Sequence, residues 1–404
     1  MKIRSITCFV QPEPPFETQQ LRGLGRFISA ARTAFEAAGY PVQTTRLATV
    51  PLVSLLSKPG VEEAVQLARK LESHAQELGF EYLSLGPALP EQPESFDLVL
   101  PVLAATEQTF LAGMMANRNG VSLTAVRLCA EIIQQASTIT SDGFTNLRFA
   151  ALANVPAGTP FFPAAFHAGG APAFSLATEA ADLAVEALGE AVDLEDARRR
   201  LVEQVERHAR ELSRVADRLQ ADSLVQFGGI DFTLAPFPEE LVSFGTAMER
   251  LGVPAVGLHG SLAAVAFLAE ALDRAEFRRA GFNGLMLPVL EDFTLAKRAA
   301  DGYLGVKDLL LYSTVCGTGL DTVPLPGDVT TDQLYALLLD VAFLSQRLAK
   351  PLTARLMPVP GKASGDPTGF DFPYFANSRI LEIDSQPVHG LLAAGGVIDL
   401  RPRS

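Results

Sequence analysis

Apolar and polar positions along this chain switch repeatedly between a two-residue and a helical period. Lys2 to Val10 (KIRSITCFV) reads as a buried strand, and Leu21 to Ala38 repeats apolar residues at helical spacing as far as Gly39. Pro41 to Ala48 is then extended, which makes a β-α-β opening. Val61 to Leu78 is a second helix ending at Gly79, followed by a short strand from Glu81 to Leu85 and a strand-like run from Phe96 to Leu103. Helical spacing returns over Leu123 to Ser137, and Asn146 to Ala153 reads as a strand. Leu194 to Leu219 is a long charged helix whose i, i+4 Arg and Glu pairs predict a solvated outer face. Further strands are expected at Ile230 to Ala235, Ala255 to Gly257, Gly284 to Val289, Leu352 to Pro358 and Arg379 to Ile383. The helices Leu262 to Leu272 and Thr331 to Ala349 lie among them. This alternation predicts an α/β fold, and without repeats or a composition break the 404 residues are expected to form one domain.

Composition narrows the classes of function. The 48% of hydrophobic residues suffices for a large core, and the net charge of −13 argues against a nucleic-acid groove or an anionic membrane surface. Cys8, Cys129 and Cys316 are scattered and show no C-x-x-C spacing, so a reducing cytoplasm is expected, without a disulfide framework. The apolar N-terminal run is cut short at Gln11-Pro12-Glu13-Pro14, so neither export nor membrane insertion is indicated.

Chemistry concentrates in a few turns. Tyr312 to Asp328 (YSTVCGTGLDTVPLPGD) has no helical period. It places Cys316, Asp321 and Asp328 among Gly317, Gly319, Pro324 and Pro326, so Cys316 is expected on an exposed turn where its thiolate is available. His167 and His259 each follow an expected strand and border a glycine, which is where α/β folds deliver catalytic groups. Gly260-Ser261 opens a helix whose free amides suit a small anion, although Ser261 reads equally as a cap. Asp231 sits in the apolar strand GGIDFTLAP and needs a cation, a metal or amide donors. With Asp321 and Asp328 it forms a candidate oxygen-rich divalent-metal site, the competing reading being turn carboxylates that accept amides. Gly361-Lys362-Ala363-Ser364 falls short of phosphate-loop spacing, so no nucleotide site is assigned. Met357 to Asn377 is a long irregular stretch of the kind that forms lids or binding loops.

Several ordered motifs carry a resemblance. They are Asn119 to Val126, Phe149 to Asn154 running on to Phe162 and His167, Asp231 to Pro236, Gly257 to Gly260, Cys316 to Asp321, and Lys350 to Pro358 (KPLTARLMP). With these the chain resembles, over nearly its whole length, the family called domain of unknown function 711 or uncharacterised protein family 0210. The resemblance implies a closed barrel of about ten strands with outer helices and an interior loop, similar to pyruvate formate-lyase. It implies no glycyl radical, because Leu391 to Leu400 lacks the Arg-Val before and the Tyr after a glycine that such enzymes carry.

The leading expectation is an enzyme acting on a small polar metabolite, with Cys316, His259, His167, Asp231 and Asp321 catalytic and Asn154, Gly260, Ser261, Gly317 and Gly319 binding substrate. A divalent-metal-assisted lyase or hydrolase using Asp231, Asp321 and Asp328 is the first alternative, and a non-catalytic small-anion binder the second. The partners expected are a small-molecule substrate and further copies of the chain, as a homo-oligomer.

Overall fold

A computed structural model describes residues 1–14, 16, 19–58 and 60–403. Its strands are β1 (Lys2–Val10), β2 (Val42–Thr49), β3 (Tyr82–Ala88), β4 (Thr109–Asn117), β5 (Gly120–Ser122), β6 (Phe149–Ala153), β7 (Ala173–Glu179), β8 (Gln226–Ala235), β9 (Gly319–Pro326), β10 (Leu352–Val359) and β11 (Val397–Ile398). All belong to one sheet, in the order β8-β7-β1-β2-β3-β4-β6-β10-β9, with the short β5 on β4 and β11 on β5. β1, β2, β3, β4 and β6 run parallel, and the two strands at each edge run the other way, β7 antiparallel to β1 and β10 antiparallel to β6. Ladder pairing does not close the edges β8 and β9 on each other. The chain between residues 278 and 291 reaches both: Ile230 N donates to Arg278 O at 2.8 Å, and Val289 N donates to Asp321 O at 3.2 Å. The expected strand Gly284 to Val289 is therefore an irregular bridge from one edge to the other.

Helices cover the sheet, with Gln19–Ala37 on β1 and β2, Val61–Glu77 on β3, and Thr331–Leu348 on β6 and β10. The charged helix Leu194–Ala221 does more than face solvent. Ala197, Leu201, Val205, Ala209, Leu212 and Ala216 recur every three or four residues and are buried, so the helix is amphipathic and seals the layer over β8. The run from Phe96 to Leu103 is not a strand: a 3-10 turn over Pro93–Leu98 leads into the helix Val99–Ala105. An unbroken apolar run has no period to tell helix from strand, and β4 begins only at Thr109. Ala255 to Gly257 and Arg379 to Ile383 hold isolated bridges in place of the strands expected there. From residue 360 to 377 the chain has neither helix nor strand, in keeping with the irregular stretch expected. No helix among the described residues is long and apolar enough to cross a membrane.

Candidate functional site

Side chains from β1, β2, β3, β4, β7, β8 and β10 line one cavity of about 80 Å³. Period-two alternation aims Arg4, Thr44 and Arg46, Tyr82, Phe110, Asp231 and Thr233, and Arg355 to the same side. Phe161 and Phe162 enter from the β6–β7 loop, Glu291 from the bridging segment, and Phe372 and Tyr374 from the irregular stretch after β10.

The charged groups form an ordered array. Arg355, buried on β10, donates from Nε to Asp321 Oδ1 at 2.6 Å and from an Nη to Glu291 Oε1 at 2.7 Å. The other Glu291 oxygen takes Arg4, whose second Nη reaches Pro236 O at 3.3 Å. Burial alone would push the Glu291 carboxyl up, but Arg4 and Arg355 outweigh it and hold Glu291 below its ordinary value. Burial wins at Asp321, raising that carboxyl despite Arg355, with the negative charge of Glu291 adding to the rise. Asp321 Oδ2 is buried and has no partner among the described residues.

Arg46 is different. Its Nε donates to Thr44 Oγ1 at 2.9 Å, and its guanidinium lies 5.1 Å from the Phe162 ring centroid and 5.9 Å from that of Tyr82. Among the described residues no carboxylate pairs with it, and burial, then the repulsion of Arg4, brings its pKa down to about 10. It remains a cation at neutral pH and lines the cavity.

Asp231 faces the same space from β8. Its Oδ1 accepts Thr233 N at 3.2 Å, the Thr233 hydroxyl and Asn283 N at 3.0 Å, whereas Oδ2 accepts Phe282 N at 2.9 Å. Burial raises its pKa against the pull of these donors. The chain can pass this close because residue 281 is glycine: a Cβ there would fall 2.2 Å from Asp231 Oδ2.

Of the residues selected from the sequence, Asp231 lines the cavity and Asp321 adjoins it through Arg355. The others lie elsewhere. Cys316 is buried under the end of the helix Val306–Tyr312, its N–H on Tyr312 O at 2.9 Å and its carbonyl taking Lys350 Nζ. The exposed turn expected there is absent because Gly317 crosses Gly284 so closely that a Cβ on Gly284 would lie 2.3 Å from Gly317 Cα. His259 and Gly260 are exposed, whereas Ser261 is buried and donates its hydroxyl to Leu258 O at 2.7 Å. His167 is buried beside Phe9, its pKa lowered by burial and its Nε2 without a partner among the described residues. Neither histidine is a hydrogen-bond partner of Cys316 among the described residues. Asn154 bonds Ser345 Oγ and Gln346 Oε1, both at 3.0 Å, and Gly319 opens β9, paired with Thr353 of β10. The metal reading of Asp231, Asp321 and Asp328 is corrected: Asp231 is held by amides, Asp321 by Arg355, and Asp328 is exposed in the turn after β9. Among the described residues no group of three or more His, Cys, Asp or Glu side chains is placed to hold a metal ion.

All three thiols are free and buried, and burial pushes those of Cys8 and Cys129 far up. Iodoacetamide is therefore expected to label none of them in native protein and all three after denaturation, as read by mass spectrometry. Rapid native labelling of Cys316 would restore the thiolate reading.

Fold and site together define an α/β protein with an arginine and carboxylate array carried by the strands of its sheet. The profile of the family described as Uncharacterised ACR (DUF711) matches residues 1–374, and the chain belongs to that family. It is 31% identical over 363 residues to a UPF0210 protein of Methanopyrus kandleri, covering 85% of this chain and 80% of that one. A UPF0210 protein of Pyrobaculum arsenaticum is 32% identical over 364 residues, covering 84% and 79%, and one of Desulforudis audaxviator is 28% identical over 361 residues, covering 85% and 79%.

Proposed function

We propose that this chain is an enzyme whose substrate is a small organic anion, anchored by Arg46 inside a closed α/β barrel. The observation that carries the reading is the Arg46 guanidinium, without a carboxylate partner among the described residues, in a cavity where Arg4 and Arg355 already have such partners. A partly buried cation costs free energy that an incoming oxyanion recovers, and charge-assisted hydrogen bonds to guanidinium are among the strongest available. Barrel closure is supported by the bridging segment at both sheet edges and by a cavity whose walls come from both ends of the strand order. Asp231 is the proton-transfer group. Its carboxyl is raised toward the working range, is fixed in place by loop amides, and keeps acceptor capacity on Oδ2 beside the cavity.

Native mass spectrometry of the freshly purified full chain is expected to show a small acid retained at one copy per chain, and lost in Arg46→Gln. With that acid as substrate, Asp231→Asn is expected to keep binding and lose at least about a hundredfold in kcat. Full turnover by Asp231→Asn would reduce Asp231 to a fastener of residues 280–283. Retention of the acid by Arg46→Gln would contradict the anchor.

A further inference from the structure

Size, charge and wall chemistry narrow the occupant of this cavity. We infer that it is a short aliphatic monocarboxylate, a conclusion that rests on the anion reading just given. On the measure that assigns the cavity about 80 Å³, one water-sized group takes about 10–15 Å³, so there is room for about five to eight non-hydrogen atoms. One carboxylate uses three of them and leaves a tail of a few carbons.

Charge limits the ligand to a single negative group. Arg355 is matched by Asp321 and Glu291, and Arg4 by Glu291. Among the described residues Arg46 is the cavity-lining arginine with no carboxylate partner, so the excess positive charge that an oxyanion meets is a single one. Glu291, held ionised by Arg4 and Arg355, lines the same cavity and repels a second charge on a dicarboxylate or a phosphate dianion. Part of the wall suits a hydrocarbon tail, since Phe110, Phe161, Phe162, Met286 and Ala235 present rings and alkyl groups to the space beside the polar Thr and Tyr side chains.

Isothermal titration of the full chain with butyrate, butyramide, succinate and inorganic phosphate tests the inference. Butyrate is expected to bind at least about tenfold more tightly than the other three, the neutral amide failing for want of charge and the two more highly charged anions for Glu291. Arg46→Gln is expected to abolish that binding. Ala177→Leu, which fills the cavity from β7 opposite Asp231 and replaces no charged residue, is expected to abolish it too, and serves if the arginine variant does not fold. Tighter binding of succinate or phosphate than butyrate, lost in Arg46→Gln, would overturn the monocarboxylate while leaving the anion site standing. Equal binding of butyrate and butyramide, or butyrate binding undiminished in Ala177→Leu, would overturn the anchored pose. Binding of none of the four to the parent protein would remove both readings.

Discussion

Arg355→Met is expected to lower folding stability by about 3–5 kcal/mol near pH 7, because it strands two buried carboxylates that share one guanidinium. Asp321 would lose its ion-pair partner, and its Oδ2 already lacks one among the described residues. Glu291 would keep Arg4 alone. The pH dependence has a definite sign. Asp321 is raised in the folded protein by burial against the pull of Arg355, and Glu291 is held low only because Arg4 and Arg355 outweigh burial. Removing Arg355 moves both folded-state values up, so the folded variant binds more protons than its unfolded chain between the ordinary carboxylate range and the raised values. Stability is then lost as pH rises through that window and regained on acidification. Urea unfolding at pH 7.5 and pH 5 should show the gap between variant and parent narrowing at the lower pH. A constant gap, or one below about 1 kcal/mol, would mean the array does not hold the sheet interior together.

A second large effect is expected at Gly319, whose φ of 96° lies in the left-handed region at the start of β9. A Cβ there would lie 2.3 Å from Thr353 O on β10, at the first pair of the ladder between the two strands. Gly319→Ala therefore combines an unfavourable backbone conformation with a collision against backbone that cannot move aside, and should cost about 3 kcal/mol or more. Gly361→Ala separates the two contributions, since Gly361 has a φ of 73° but nothing within 4 Å of an added Cβ. It should cost only the conformational part, about 1–2 kcal/mol. Equal losses in the two variants, measured by chemical denaturation, would show that the close approach between β9 and β10 contributes nothing.

The elements that sequence reading placed well are those with a clear period and punctuation. β1 falls on Lys2–Val10, and the helices before Gly39 and Gly79 end within a residue or two of their expected limits. β4 and β9 escaped for opposite reasons. β4 reads TFLAGMMAN, with small and flexible residues in place of β-branched ones, because the helix Leu123–Ala136 packs so tightly on it that a Cβ on Gly113 would meet Cys129 Sγ at 2.6 Å. β9 carries Gly319, Pro324 and Pro326, which resemble loop punctuation, yet it is the edge strand of the sheet, where proline is tolerated.

The site was half legible. Asp231 stood out as an acid in an apolar strand, and the same signal was present at Arg4 in KIRSITCFV, Arg46 in VQTTRLAT and Arg355 in LTARLMPV. In each, an arginine occupies a strand whose neighbours are buried. What the sequence does not contain is their convergence, since residues 4, 46, 291 and 355 meet only once the strands and the bridging segment have assembled. Cys316 drew attention through its glycines, but those glycines serve a backbone crossing at Gly284 and bury the thiol.

Bromide tests the central claim most directly, because it is a single-atom anion that can be located without assuming any substrate. Crystals of the full chain soaked in sodium bromide and measured at the bromine absorption edge should show an anomalous peak in the cavity beside the Arg46 guanidinium, lost in Arg46→Gln. Peaks confined to the outer surface, with the cavity beside Arg46 empty in the parent protein, would contradict an anion site there.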